Sequence, residues 1–441
     1  MATTHKAVAA DSEALAATEA GVSVWSATAS LGLTQALTAL LQVANMALVS
    51  RLLGRQGLGL YAAFLASVTL LSLLADPLGY RWVNTYLVRR GAGVGTTLRR
   101  SSLYAGGVLV VAAFVFGLQS GWLVALLARL GLWARWEALE ALLPLVALAL
   151  PLLLFHGYVA SILLGLEAYR DFNRLMLLAA ASLTTANALL WLTLGRLQPR
   201  TAAALWAASY ALAAAWGLLR LRQHGHASRS LATSETAFPE AAATGFRAFS
   251  VNLLSFLHLR VDIYLVGFFL APAAVGLYAV AVALVELLAR APALLGTVIY
   301  PKSAGERAGE ITRLIASLLK FLPALALVAL PAFWLVGQRL IELLFGAAFR
   351  GSFTAAFWLL PGVIFLSGIT LINNFLAGKG YPGVLHIAAS VGLALNIVLN
   401  WLWIPRYGIT GAALASSISY GLWLLLLVVH FRRCYLVPAR N

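Results

Sequence analysis

Apolar residues fill this chain in long uninterrupted runs, and polar residues gather in the short gaps between them. A run of about 20 residues is long enough to cross a hydrocarbon core about 30 Å thick. Twelve such runs are predicted, at 26–50, 58–79, 102–128, 139–165, 174–195, 201–221, 246–270, 275–299, 314–336, 353–377, 383–404 and 409–431. All read as helices, because a backbone in lipid must satisfy its own hydrogen bonds and the runs are too long and too uniformly apolar for barrel strands. The expected fold is therefore all-α, a polytopic membrane protein of twelve transmembrane helices. Pro144, Pro151, Pro323, Pro331 and Pro361 fall inside or near the edges of these helices, where they would produce kinks.

Composition agrees with the pattern: 62% of the residues are hydrophobic and only 10% charged, which excludes a soluble fold. The single Cys434 excludes an intramolecular disulfide and a cysteine-rich metal site. A formal net charge of +16 would suggest nucleic acid as the partner of a soluble protein. Here the distribution explains it better, since positive charge gathers in the cytoplasmic loops of membrane proteins and no nucleic-acid partner is required. The even-numbered connections and the two tails hold about twenty Lys and Arg residues, against about nine in the odd-numbered loops. Both termini are thus expected in the cytoplasm. The second-to-third connection carries Arg81, Arg89, Arg90, Arg99 and Arg100, and the sixth-to-seventh carries Arg220, Arg222, Arg229 and Arg247.

Residues 1–22 lack the basic, apolar, small-residue order of a signal peptide, and Asp11, Glu13 and Glu19 mark them as a polar tail. The plan is a tail at 1–25, an N-lobe at 26–221, a cytoplasmic linker at 222–245, a C-lobe at 246–431 and a tail at 432–441. His224 and His226 in the linker read as solvated rather than metal-binding, for want of further ligands.

The lobes are repeats. Aligned without a gap, residues 35–79 and 252–296 share about fifteen identities in 45 positions, among them Gly59-Leu-Tyr-Ala62 against Gly276-Leu-Tyr-Ala279. Both copies start on the same side of the membrane, so the lobes are related by an axis along the membrane normal and a substrate path belongs between them.

The second copy has gained charge. Arg260 stands opposite Val43, Asp262 opposite Asn45, His258 opposite Leu41 and Glu286 opposite Thr69. A charge at mid-bilayer costs about 2.5–3.5 kcal/mol on insertion scales, so such residues turn toward a cavity or a partner. Helical spacing puts Asn252, Ser255, His258 and Asp262 within one arc of about 120°, with Arg260 about 160° away from Asp262. Arg260 and Asp262 therefore cannot pair. Glu286 and Arg290 are spaced i,i+4 with the acid first, the favourable order for an ion pair. Two readings stand: the pair neutralises itself and holds packing, or Arg260 or Arg290 is left to meet an anion, for which a bidentate guanidinium suits phosphate. On this reading the C-terminal lobe carries the charge chemistry and the N-terminal lobe mainly completes the walls.

The segments Leu52-Leu-Gly-Arg-Gln-Gly-Leu-Gly-Leu-Tyr-Ala62, Arg260-Val-Asp-Ile-Tyr-Leu-Val-Gly-Phe-Phe-Leu270, Val275-Gly-Leu-Tyr-Ala279 and Pro301 resemble polysaccharide-biosynthesis flippases. Ala377-Gly-Lys-Gly-Tyr-Pro382, Asn396, Asn400 and Ile404-Pro-Arg-Tyr-Gly-Ile-Thr-Gly-Ala-Ala-Leu-Ala415 extend the resemblance over nearly the whole chain. Together they are similar to the Wzx-type branch of the multidrug/oligosaccharidyl-lipid/polysaccharide (MOP) superfamily. The resemblance implies two pseudo-symmetric six-helix lobes in a V, as in MATE transporters, rocking between inward-open and outward-open states. It implies an oligosaccharide on an undecaprenyl pyrophosphate as cargo, moved across a bacterial cytoplasmic membrane. Membrane lipids and polysaccharide polymerase or export proteins would be its partners, the protein itself would be a monomer, and no cofactor is expected. On this reading Arg260 and Arg290 are phosphate contacts, and Gln42, Asn45, Asn252 and Ser255 are neutral hydrogen-bonding groups. Asp262 and Glu286 are candidates for proton or Na⁺ coupling, since a shielded carboxylate can exchange protons near neutral pH.

Other classes fit less well. Leu74-Ala-Asp-Pro-Leu-Gly-Tyr-Arg81 imitates the loop signature of major-facilitator transporters, but Ser72 replaces its leading glycine and Pro77 interrupts it. A polysaccharide polymerase or ligase would need a large external loop, and the odd-numbered loops are short. No Walker lysine loop is present, so ATP is not the direct energy source. A drug or cation antiporter of the same superfamily would favour an acidic cavity. The tryptophans, for example Trp133, Trp136 and Trp401, read mostly as an interfacial belt, and Asn373, Asn374, Asn396 and Asn400 as interhelical hydrogen-bonding groups.

Overall fold

The computed structural model describes residues 24–118, 142–225, 237–303 and 308–436. These form eleven α-helices and no strand. In chain order they are α1 (Val24–Leu74), α2 (Tyr80–Arg89), α3 (Val94–Leu118), α4 (Leu143–Gly165), α5 (Tyr169–Thr193), α6 (Pro199–Gly225), α7 (Ala237–Phe269), α8 (Pro272–Ser303), α9 (Ala308–Phe345), α10 (Ser352–Gly378) and α11 (Val384–Phe431). Trp133 and Trp136 lie outside the described residues, as do the tail residues before 24 and much of the 222–245 segment.

Two helices each make two crossings. α1 breaks at Gly54, with φ 64°, and α11 at Gly408, with φ 59°. Glycine lacks the Cβ that makes this conformation costly, so the chain turns back without a loop. Among the described residues eight helices are long and apolar enough to cross a membrane, and α1 and α11 are two of them. Pro151, Pro323, Pro331 and Pro361 all sit within continuous helices.

The burial pattern is that of a protein dissolved in lipid. α9 packs chiefly against α10, and its Leu327, Leu335 and Leu343 are largely exposed. In water such a surface would be a liability, but hydrocarbon is as apolar as leucine, so lipid-facing residues need no protein cover.

α1–α6 pack with one another and α7–α11 with one another, and the two groups meet chiefly at α1 against α8 and at α2 against α7, with α7 and α9 also touching α1. At the first seam the repeat glycines touch: a Cβ on Gly59 would lie 1.8 Å from the Pro272 carbonyl oxygen, and one on Gly276 2.0 Å from the Arg55 carbonyl oxygen. The two contacts are images of each other under the repeat, in which Arg55 corresponds to Pro272 and Gly59 to Gly276. At the opposite end of the second crossing of α1, a Cβ on Gly245 would fall 2.2 Å from the Leu78 carbonyl oxygen, beside Gly79. Backbone meets backbone at both ends, and any side chain there would force the lobes apart.

One sequence expectation needs correcting. Residues 80–100 read as a basic loop, but Tyr80–Arg89 is a helix packed against α4 and α7, with Val83, Asn84, Leu87 and Val88 buried. Its apolar side was hidden by the arginines around it. Asp76 accepts a 2.8 Å hydrogen bond from the Tyr80 backbone N–H at the helix start. Asn84 bonds Ser101 and Ser161, which ties the helix to α3 and α4.

Candidate functional site

A cavity of about 370 Å³ lies between the lobes. Thr38, Gln42 and Asn45 reach it from α1, spaced so that one helical face presents all three. His156 of α4 and Trp206 and Tyr210 of α6 complete the N-lobe wall, and Arg260 of α7 and Glu286 of α8 stand on the C-lobe side. A second chamber of about 400 Å³ shares Tyr61, Arg260 and Glu286 with the first. The charged pair therefore stands where the two chambers meet.

That pair is bidentate. Arg260 Nη1 donates to Glu286 Oε1 at 2.8 Å and Nη2 to Oε2 at 3.1 Å, with the side chains 28% and 23% exposed. Arg260 points away from Asp262, as the helical spacing requires. Both carboxylate oxygens of Glu286 are thus held by Arg260, so Arg260 is not a lone cation waiting for an anion. The Arg290 side chain lies outside the described residues, and so does its predicted pairing with Glu286.

Asp262 does not line the main cavity. It is 1% exposed, inside the C-lobe, and accepts hydrogen bonds from Tyr278 Oη, from Ser416 Oγ at 3.1 Å and from the Ile263 backbone N–H at 2.8 Å. A polar spine continues from it along α11. Asn396 Nδ2 reaches Ser416 Oγ at 3.3 Å and Ser419 Oγ at 3.1 Å, and Asn400 Nδ2 reaches Asn396 Oδ1 at 2.8 Å. His258 joins it through Ser419 at 3.0 Å and stacks on Trp423. Most lone pairs and N–H groups in the spine have partners, which is how a buried carboxylate is tolerated in an apolar bundle.

Asn252 is exposed and Ser255 half-buried, and neither lines the cavity. The face they share by helical spacing points into the C-lobe at His258 and Asp262 and leaves the protein interior before reaching Asn252. Gln42 and Asn45 do line it, and Asn45 Oδ1 accepts a 2.7 Å hydrogen bond from Asn187 of α5.

The N-lobe contributes more than walls. Beyond its neutral groups it brings Arg81, half-buried at the start of α2, with a buried Nε that has no hydrogen-bond partner. Among the described residues no carboxylate lies within ion-pair distance of it. Its guanidinium lies over Gly157, where a Cβ would come within 2.5 Å of Nε. Arg81 lines neither chamber, so the charges that reach the cavity, Arg260 and Glu286, are both from the C-lobe. Sequence reasoning passed over Arg81 as a loop cation, and over His156, Trp206 and Tyr210. The signal for His156 was there: an ionisable residue within an apolar span is a site candidate by default.

Two helical lobes that share a sequence repeat thus enclose a cavity at their interface, with a charged pair on one wall. Solved structures share the fold: the lipid II flippase MurJ in an inward closed conformation has a TM-score of 0.68 at 15% identity over 90% of this chain and 86% of that one. A multidrug resistance MATE family transporter of the MOP superfamily, in an inward-facing conformation, has a TM-score of 0.64 at 13% identity over 91% and 96%. The sequence pattern of the polysaccharide biosynthesis protein family matches residues 24–304, more than half of the chain, and the chain belongs to that family. It is also similar to the probable low-salt glycan biosynthesis flippase Agl15 of Haloferax volcanii, 25% identical over 217 residues, 47% of this chain and 43% of that protein. The match thus spans less than half the length of that curated relative.

Proposed function

We propose that the protein is a flippase that carries polyprenyl-pyrophosphate-linked oligosaccharide across the cytoplasmic membrane for surface polysaccharide synthesis, by alternating access. One observation carries the reading: a cavity between repeated lobes, with the Arg260–Glu286 pair where two chambers meet, in a member of a polysaccharide biosynthesis family. The kinship with Agl15 and the fold of MurJ, both flippases by name, support the same reading.

Flipping requires that a pyrophosphate and several sugars pass about 30 Å of hydrocarbon while the polyprenyl tail remains in lipid. Polar groups between the lobes replace the water that the headgroup leaves. Arg260 is the phosphate contact: Glu286 occupies one N–H on each terminal nitrogen and fixes the plane of the guanidinium, and three further N–H donors face outward from that pair. Arg290 is a second phosphate contact one turn along α8 from Glu286. Gln42 and Asn45 supply neutral hydrogen bonds on the opposite wall. Asp262 is the coupling carboxylate, since binding of a proton or Na⁺ there would relax a charge held among α7, α8 and α11. The arginine distribution supports cytoplasmic termini, and the resemblance to Wzx-type flippases supports the cytoplasmic membrane, a monomer, and polymerase or export proteins as partners.

Deletion tests this reading. Cells lacking the protein should accumulate a lipid-linked saccharide on the cytoplasmic face and lose the corresponding surface glycan. A surface glycan unchanged in amount and structure would refute it.

A further inference from the structure

Two residues on the cavity wall carry a buried polar atom without a partner, Thr38 and His156, and only the second is ionisable. His156 is 6% exposed, yet its Nε2 has no hydrogen-bond partner. A neutral imidazole has one N–H and one lone pair, and in the Nδ1–H tautomer the lone pair is on Nε2. In that tautomer the buried, unpartnered Nε2 of a cavity-lining residue is an acceptor that requires a donor.

Its surroundings define the donor's chemistry. Tyr210 packs edge-on against the imidazole, with centroids 4.9 Å apart, and Trp206 lies 4.5 Å from Tyr210. Both rings line the cavity with His156. An acceptor beside aromatic rings suits a ligand with O–H groups on its rim and C–H groups on its face. An oxyanion fits poorly, because it offers Nε2 no proton.

We propose that His156, Trp206 and Tyr210 form a sugar subsite: Nε2 accepts a hydrogen bond from a pyranose hydroxyl, and the ring's apolar face lies on the aromatic pair. The Arg260–Glu286 pair faces this wall across the same cavity, so a headgroup could set its phosphate on one lobe and its first sugar on the other. The inference rests on the flippase reading and adds which lobe reads the sugar.

The test uses the full-length protein in lipid nanodiscs with two probes: undecaprenyl pyrophosphate, and the same lipid bearing N-acetylglucosamine. Wild-type protein should bind the sugar-bearing lipid more tightly. His156→Phe, which keeps a ring but removes the acceptor, should weaken that binding about three- to tenfold and leave the sugar-free lipid unaffected. Trp206→Leu should do the same, and His156→Gln, which restores an acceptor, should recover most of the loss. Unchanged sugar-free binding shows that the variants are folded. Equal wild-type affinity for the two lipids, or variants that still prefer the sugar-bearing one, would overturn the subsite and leave the flippase reading standing. Wild-type protein that binds neither lipid would overturn both.

Discussion

The seam between the repeat glycines invites the sharpest perturbation. In Gly276→Ala the new methyl would stand 2.0 Å from the Arg55 carbonyl oxygen and 3.2 Å from the Gly59 nitrogen. Ordinary contact needs well over 3 Å, and the obstacle is backbone on both sides, so no rotamer change relieves it. α1 and α8 must move apart by about 1 Å, and overpacking of this kind costs typically about 1–3 kcal/mol. Because the clash exists only while the seam is closed, that energy shifts the balance toward the conformation open at this end by about 5- to 150-fold. Ala283 lines both chambers, and a cysteine there, in a Cys434→Ser background, reports the change. Its labelling by a membrane-impermeant maleimide from the Gly59–Gly276 side should rise several-fold in Gly276→Ala. Gly245→Ala, at the other seam, should raise labelling from the opposite side instead. Equal labelling rates in all three proteins would refute the view that these seams are the gates.

Three further outcomes follow from the charges. Glu286→Gln leaves Arg260 unpaired, and because the pair is partly exposed the loss is about 1–3 kcal/mol, to be read as a lower unfolding temperature; an Arg260→Met/Glu286→Leu double variant should regain stability but not glycan export. Asp262→Asn keeps one acceptor for the Ile263 N–H and presents an NH2 donor to the Tyr278 and Ser416 hydroxyls, which can accept it, so it should fold and lose any acceleration of transport by a proton or Na⁺ gradient, and a gradient response equal to wild type would contradict the coupling role. Burial pushes the Asp76 carboxyl, in the turn before α2, up to about 6 from an ordinary 3.8. The protonated form is thus favoured in the folded state, and stability should fall by about 2–3 kcal/mol as pH rises from about 4 through 6. Asp76→Asn preserves the cap on Tyr80 and should flatten that dependence in thermal unfolding.

Much of the architecture was legible because lipid imposes it. Helices in hydrocarbon need about 20 apolar residues each, so the apolar runs stand out in the sequence without any tertiary knowledge. The ungapped repeat carried further: it marked Gly59 and Gly276 together, and they meet at the lobe interface. It also aligned Tyr61 with Tyr278, and one lines the cavity while the other holds Asp262. What periodicity could not supply was which neighbour each face meets. The arc through Asn252, Ser255, His258 and Asp262 is real, but it turns into the C-lobe, because α11 packs there with Ser416 and Ser419. Arg81 was hidden by composition, since a short helix among arginines reads as a basic loop until Val83 and Leu87 are seen to be buried.

The central claim is movement of a lipid-linked saccharide, and reconstitution tests it most directly. Purified protein would be placed in liposomes containing undecaprenyl-pyrophosphate-linked N-acetylglucosamine, and exposure of the sugar in the outer leaflet followed with an impermeant sugar-binding lectin after the outer pool is cleaved. Renewed lectin binding, faster than in protein-free liposomes and slowed by Arg260→Ala, is the predicted result. Renewal at the protein-free rate, with the protein folded and inserted, would contradict the account.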